Sequence, residues 1–144
     1  MELNLYSEFY FQVSGHHKHN QEWSQLGSVI RLNGYLVFGD ENRLCRVSLN
    51  LLTIEDLLGF WVWLNAVESA IDSGGTGTLF EFVEPITFEF MREGIECIIY
   101  LEFRTLYEDK DEHRFAFMSI HSEAYRKMKR MLLRDLGYFT YSVN

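Results

Sequence analysis

The chain has 144 residues, of which 47% are hydrophobic and 16% aromatic, and it contains one proline. This length is typical of one domain, and the composition is too apolar and too proline-poor for a disordered protein, so we expect a single domain over residues 1–144. The net charge of −8 disfavours nucleic acid and favours a basic partner, although the same charge also serves simple solubility.

Two features bear on the compartment. The N-terminal residues lack the basic start and apolar run of a signal peptide, and the uncharged stretch 57–67 is far shorter than the roughly 20 residues that span a bilayer. We therefore expect a cytoplasmic protein with no membrane partner. Cys45 and Cys97 lie in predicted strands, where they could pair if the strands adjoin; buried thiols in a reducing cytosol are the favoured reading.

The first third of the chain has the pattern of strands. Apolar and polar residues alternate over 3–13, which predicts a half-buried strand, and the polar segment 15–25 predicts a loop. Asn33-Gly34 lies between two apolar runs, a pair that predicts a tight hairpin because both residues tolerate positive φ. The segment 43–49 predicts the next strand of this meander.

A long amphipathic helix is predicted over 54–72. Thr53 can cap its N-terminus, and Gly74 can end it. The apolar residues extend beyond one stripe, since Phe60 and Trp63 lie off the main apolar face. Either a curled sheet covers these two side chains, or they form a contact between copies of the chain, so a homodimer is possible.

The remainder predicts further strands and a second helix. Strand patterns lie at 78–83, 86–91, 95–104 and 113–120, with a charged loop at 105–112. Ser122 can cap the second helix, which extends to Leu136 and ends at Gly137, and the aromatic tail could add a short edge strand. We therefore expect an α+β fold. Its antiparallel sheet has about seven to eight strands, is strongly curved or barrel-like, and packs on one long central helix, with a C-terminal helix.

Carboxylates recur on one side of the predicted central strands. If those strands are neighbours, four glutamates share the outer face of one sheet: Glu81, Glu89, Glu96 and Glu102. Because like charges on one face cost stability, such a row suggests a partner-binding surface, with Tyr100 as an aromatic anchor. The alternative is that solvent-facing strand positions are simply charged and protect sheet edges.

Other candidate sites are weaker. His16, His17 and His19 could ligate a metal, but they lie in a polar loop and adjacent residues of an extended chain point in opposite directions. The glycine-rich segment 73–77 follows a helix and precedes a strand, the reverse of a phosphate-binding loop. No catalytic motif is present, so we expect neither an enzyme nor a cofactor. The basic face of the second helix predicts a solvated surface.

Three segments carry a resemblance to a known family. They are LLTIEDLL at 51–58 with the following Trp63-Leu64 pair, FEFVEPITFEF at 80–90, and IYLEF at 99–103. In this order they resemble the WapI-like family of bacterial immunity proteins, small cytosolic inhibitors of contact-dependent toxins. The resemblance implies a binding protein rather than an enzyme, with the toxin domain as its protein partner.

Three functional hypotheses follow from the sequence. The first is an immunity-type protein that neutralises a basic toxin domain by occlusion. The second is a homo-oligomeric structural or scaffold module that associates through Phe60 and Trp63. The third is a small-ligand or metal-binding protein that uses the loop with His16, His17 and His19.

Overall fold

In a computed structural model, the described residues are 8–14, 33–40, 43–49, 52–75, 77–82, 86–107 and 110–143. They form seven strands and two helices. The strands are β1 (Glu8–Ser14), β2 (Asn33–Asp40), β3 (Arg43–Leu49), β4 (Thr78–Glu81), β5 (Ile86–Glu93), β6 (Glu96–Tyr107) and β7 (Lys110–Ser119). The helices are α1 (Ile54–Asp72), between β3 and β4, and α2 (Glu123–Val143), after β7.

The strands form two antiparallel sheets. One has the order β1-β2-β3 and the other β4-β5-β6-β7, so every ladder joins strands that are consecutive in the chain. The α+β class is confirmed, but the expectation of one strongly curved or barrel-like sheet of seven to eight strands is wrong. β1 approaches β7, but in the described residues no ladder joins these two strands. No ladder joins β3 to β4 there either.

Helix α1 begins and ends as its sequence predicts. The Thr53 hydroxyl accepts a hydrogen bond from the Asp56 backbone N–H at 3.1 Å, and the Asp56 carboxylate accepts one from the Thr53 N–H at 2.9 Å. This reciprocal capping box satisfies backbone donors that the first turn leaves open. After Asp72 the chain reverses at Gly74, whose φ of +76° suits a residue without a side chain.

The central core is largely aromatic. Phe60 of α1 lies 4.4 Å from Phe88 of β5 and 5.4 Å from Phe11 of β1, measured between ring centroids. Helix α1 therefore joins the inner faces of the two sheets. One buried cluster includes side chains from both sheets and both helices. Aromatic pairs at these distances stabilise a core beyond the area that they bury.

The structure corrects the proposed role of Phe60 and Trp63. Phe60 is fully buried and Trp63 is 9% exposed, because Phe80 of β4 covers that side of the helix and stacks on the Trp63 ring at 5.7 Å. These two residues are therefore not a contact surface for another copy. The exposed large apolar residues of α1 are instead Leu58 and Val62.

The predicted turn at Asn33-Gly34 is also wrong. Both residues belong to β2, where Asn33 pairs with Ser14 and Gly34 with Val13. A Cβ on Gly34 would lie 3.1 Å from Leu52 Cδ2. Glycine is used here for close packing of Leu52 against the strand, rather than for the geometry of a hairpin loop.

Two further segments differ from their predictions. Residues 105–107 and 110–112, predicted as part of a loop, belong to the ends of β6 and β7, where Thr105 pairs with Glu112 and Tyr107 with Lys110. Helix α2 does not stop at Gly137 but continues to Val143, so the tail forms no edge strand. A glycine inside a helix costs about 1 kcal/mol relative to alanine, which a long packed helix tolerates.

Candidate functional site

The four-stranded sheet has an inner face towards α1 and an opposite face, which we call the outer face. The register decides which residues lie there, since side chains alternate along each strand and paired residues share a side. The described outer-face residues are Leu79, Glu81, Thr87, Glu89, Met91, Glu93, Glu96, Ile98, Tyr100, Glu102, Arg104, Phe115, Phe117 and Ser119.

The four glutamates singled out in the sequence lie together on the outer face. Glu89 is paired with Tyr100 and Leu79, while Glu102 and Glu81 are both paired with Thr87. Glu81 and Glu96 are exposed, and Glu89 and Glu102 are half-buried. Their placement on one surface meets the geometric condition for an acidic binding face, and their role in binding stays a prediction.

A fifth carboxylate belongs to the same face. Glu93, which lies between the predicted strands 86–91 and 95–104, ends β5 and pairs with Glu96 across the hairpin. The loop is only Gly94-Ile95, and Gly94 has a φ of +64°, the pattern of a type II′ turn with glycine first. A two-residue loop that begins with glycine is typical of a tight hairpin. This signal in the sequence could have placed Glu93 in the strand.

The predicted anchor Tyr100 is held by two neighbours. Its hydroxyl donates a hydrogen bond to Glu93 Oε1 at 2.5 Å. Its ring lies 5.6 Å from the ring of Phe117 on β7. These contacts fix the orientation of the Tyr100 ring on the outer face, so little side-chain entropy remains to be lost on binding.

Apolar residues of the outer face were not recognised as part of the site from the sequence. Phe115 is 63% exposed and Leu79 is 56% exposed. Phe115 pairs with Glu102, and the buried residues of β7 are its neighbours on the opposite face, Ala116 and Met118. The period-two pattern of 113–120 predicts that Phe115 and Phe117 share a face, but a period alone does not reveal which face is inside.

A groove borders this face at the edge of β4. Its volume is about 380 Å³, and it is lined by residues 77–79 and 89–92. Leu79 and Met91 supply apolar surface to it, and Glu89 supplies a carboxylate. The groove therefore joins apolar and acidic surface where β4 and β5 meet.

Most Lys and Arg side chains of the described residues do not lie on the outer face. Arg92 lies at the end of β5 and donates hydrogen bonds to backbone carbonyl oxygens at the C-terminus of α1, at 2.7 Å for Gly75 and 2.6 Å for Ile71. It thereby satisfies acceptors that the last helical turn leaves open. Arg104 is on the outer face, but beyond Glu102 towards the end of β6.

The basic helix α2 packs beside β1, β7 and α1. Ser122 caps it, since its hydroxyl accepts a hydrogen bond from the Tyr125 N–H at 3.1 Å. On its exposed surface, Arg126 and Arg130 both contact Glu123, at 2.9 and 3.1 Å, and their hydrogen bonds hold the pKa of that carboxyl below its usual value. Part of the helix's positive charge is therefore neutralised within the helix.

Lys129 belongs to the basic side of the second helix, which the sequence predicts to be solvated, but in the structure it forms a contact between the two helices. Lys129 Nζ lies 2.5 Å from Glu68 Oε2 on α1 and 4.6 Å from the centroid of the Trp61 ring. The Tyr125 hydroxyl donates to the same carboxylate. Burial favours the neutral form of Glu68, but these hydrogen bonds and the charge of Lys129 outweigh it and lower the Glu68 pKa.

The remaining candidates give no site in the described residues. His16, His17 and His19 lie outside them, so their proposed metal role stays a prediction. Within the ranges given above, no three His, Cys, Asp or Glu side chains are grouped to hold a metal ion.

Cys45 and Cys97 are thiols on different sheets. Neither α1 nor α2 has an apolar stretch able to cross a membrane.

Comparison with known proteins identifies no relative. No protein-family model matches the chain, and neither a curated protein nor a solved structure does.

Proposed function

We propose that this chain is an immunity-type binding protein, which covers a basic surface of a toxin domain with its outer face and performs no chemistry. The observation that supports this most is the concentration of carboxylates on that face. Adjacent strands β4, β5 and β6 direct five of them to the same side: Glu81, Glu89, Glu93, Glu96 and Glu102.

This arrangement has an electrostatic cost that a basic partner relieves. Glu93 and Glu96 are directly paired across the hairpin, and like charges in that position destabilise a sheet. Glu81 and Glu89 form no ion pair with any of the residues described here. Cations from a partner reduce the repulsion and also increase the rate of encounter.

The outer face also has the mixture of side chains that protein interfaces use. Tyr100 and Phe117 form a ring pair across β6 and the edge strand β7, and the exposed Phe115 extends that aromatic surface along β7. Interfaces are enriched in aromatic residues at the centre, with polar groups around them. Strand spacing makes the face about 14 Å wide from β4 to β7, so a partner of ordinary interface size also extends past its edges.

The choice of a toxin domain as partner rests on the resemblance of segments within 51–103 to immunity proteins. The choice of a basic partner rests on the charge of the outer face and on the net charge of −8. An inhibitor of this kind acts by occlusion, because binding alone blocks access to the surface that the toxin uses.

The test is capture of the partner from the source organism, followed by binding kinetics at several salt concentrations. The test variant carries Glu81→Lys and Glu89→Lys on the outer face. Its control carries Glu55→Lys and Asp72→Lys, which change two exposed acids of α1 and alter the net charge equally. Both variants are first shown to unfold cooperatively, as the wild type does.

We expect a basic partner whose association rate falls with salt and falls at least about tenfold in the outer-face variant, as for electrostatically steered association. The control should keep most of the wild-type rate. Equal rates for the two variants, or a salt-independent rate in the wild type, contradict the proposal.

A further inference from the structure

We propose that the outer face selects arginine rather than lysine side chains of its partner, at two positions beside its aromatic residues. This inference deepens the proposed function and rests on it. On the outer face, carboxylates are paired across strands with aromatic rings. An acidic surface does not need such rings to attract cations.

The register creates two such pairings. We call a line of paired residues that crosses neighbouring strands a row. In the first row, Glu89 is paired with Tyr100, and Tyr100 is paired with Phe117; the two rings lie 5.6 Å apart. In the second row, Glu102 is paired with Phe115. Paired side chains in a sheet have Cβ atoms about 5 Å apart, so each carboxylate lies beside an aromatic ring.

Arginine matches this combination better than lysine does. The guanidinium is planar and weakly hydrated, so it stacks on a ring while its N–H groups bind a carboxylate in the same plane. The lysine ammonium is a compact, strongly hydrated charge, and it gains little from a ring that remains in contact with water. Phe115, at 63% exposure, is such a ring.

The chain itself contains both cases. Lys129 is held between the Glu68 carboxylate and the Trp61 ring where two helices pack together, and its side chain is only 19% exposed. On the exposed side of the three-stranded sheet, the cation placed over Tyr35 is Arg46, with its guanidinium carbon 5.3 Å from the ring centroid. At Phe115, which is 63% exposed, the outer face resembles the second environment, although the chain also places the exposed Lys127 over the half-buried Tyr10 ring, at 5.6 Å.

The spacing of the two pairings constrains the partner. Tyr100 and Glu102 are two residues apart on β6, so the two rows are about 7 Å apart. Two arginines at positions i and i+2 of an extended segment have this separation. The occupant that we infer is therefore an extended segment of the partner protein with arginines at alternate positions.

The probes are two capped heptapeptides, Gly-Arg-Gly-Arg-Gly-Arg-Gly and its counterpart with lysine at each arginine position. Both are titrated into the isotope-labelled full chain at low salt, and dissociation constants are obtained from amide chemical shifts. The variant Phe115→Leu removes an exposed ring but keeps an apolar side chain. Leu133→Ala, at an exposed apolar position of α2, is the control.

We expect the arginine peptide to bind at least about threefold more tightly than the lysine peptide, the gain of one exposed guanidinium–ring contact. Phe115→Leu should reduce that ratio towards one, and Leu133→Ala should leave it unchanged. If the two peptides bind with equal affinity, and both bind more weakly to the variant with Glu81→Lys and Glu89→Lys, the arginine inference is overturned and the acidic binding face is left intact. Absence of binding by both peptides also overturns the inference, whereas the proposed function is judged separately by the kinetics of the captured partner.

Discussion

Lys129 Nζ lies 2.5 Å from Glu68 Oε2, and this contact ties α2 to α1. The Lys129 ammonium also donates to Asn65 Oδ1 at 3.2 Å and lies over the Trp61 ring. Because Tyr125 donates to the same Glu68 carboxylate, one acid accepts hydrogen bonds from two residues of α2. Stability therefore depends on the ionisation of this small cluster.

Replacing Lys129 with methionine tests that contact. The substitution keeps an unbranched apolar side chain but leaves the Glu68 carboxylate without its cation. We expect the free energy of unfolding, measured in urea, to fall by about 1 kcal/mol, since the pair is only partly shielded from water. Arg134→Met is the control, because Arg134 is exposed and lies 3.7 Å from Asp135; its loss should cost under about 0.5 kcal/mol. Equal losses in the two variants contradict the assignment.

Acid should remove the contribution of Glu68. Its pKa in the folded chain is below the usual 4.5, so the ionised carboxylate adds stability above that pH and this stability disappears as the pH falls through the lower, folded-state pKa. The difference in unfolding free energy between wild type and Glu68→Gln should therefore be largest near neutral pH and shrink below about pH 4.5. A difference that stays constant from pH 7 to pH 3 rules out this linkage.

Alkali should act on Tyr125. Burial, together with the hydrogen bond to Glu68, raises the pKa of this phenol above its usual 10. The unfolded chain therefore releases the proton first, and the stability contributed by neutral Tyr125 is lost progressively as the pH rises above 10. Thermal unfolding between pH 9 and 11 should show a shallower decline for Tyr125→Phe than for the wild type. Parallel declines in the two proteins would show that ionisation of Tyr125 does not change the stability of the fold.

The aromatic core makes Phe60 the most sensitive position of α1. Its ring is fully buried against rings of both sheets, so Phe60→Ala removes several packing contacts and leaves a cavity. We expect a loss of about 3–5 kcal/mol in the free energy of unfolding. Leu58→Ala, two positions earlier and 50% exposed, should cost under about 1 kcal/mol. If the two variants are similarly stable, Phe60 does not occupy the core.

Local signals in the sequence predicted much of this fold. The spacing of apolar residues, Thr53 as the cap and Gly74 as the stop correctly predicted α1. The alternation in 86–91 and 95–104 correctly assigned the glutamates to one side of two strands. These features depend on residues close together in the chain, and for that reason they can be read without knowledge of the tertiary fold.

Features that depend on tertiary contacts were missed. Phe60 and Trp63 looked available for an external contact, because nothing in the sequence of the helix reveals that β4 covers them. Gly34 looked like a turn residue, although it provides space for Leu52. Lys129 looked solvated, and its partner Glu68 is 61 residues away. In each case a distant part of the chain determines the role of the residue.

If the outer face is the contact surface, binding of the captured partner must change the environment of its residues. Amide chemical shifts of the isotope-labelled chain, mapped at saturation with that partner, report this residue by residue. We predict that the largest changes fall on outer-face residues of β5, β6 and β7, with Glu89, Tyr100 and Phe115 among them. Largest changes around Leu58 and Val62, the exposed apolar positions of α1, with an unperturbed outer face, would contradict it.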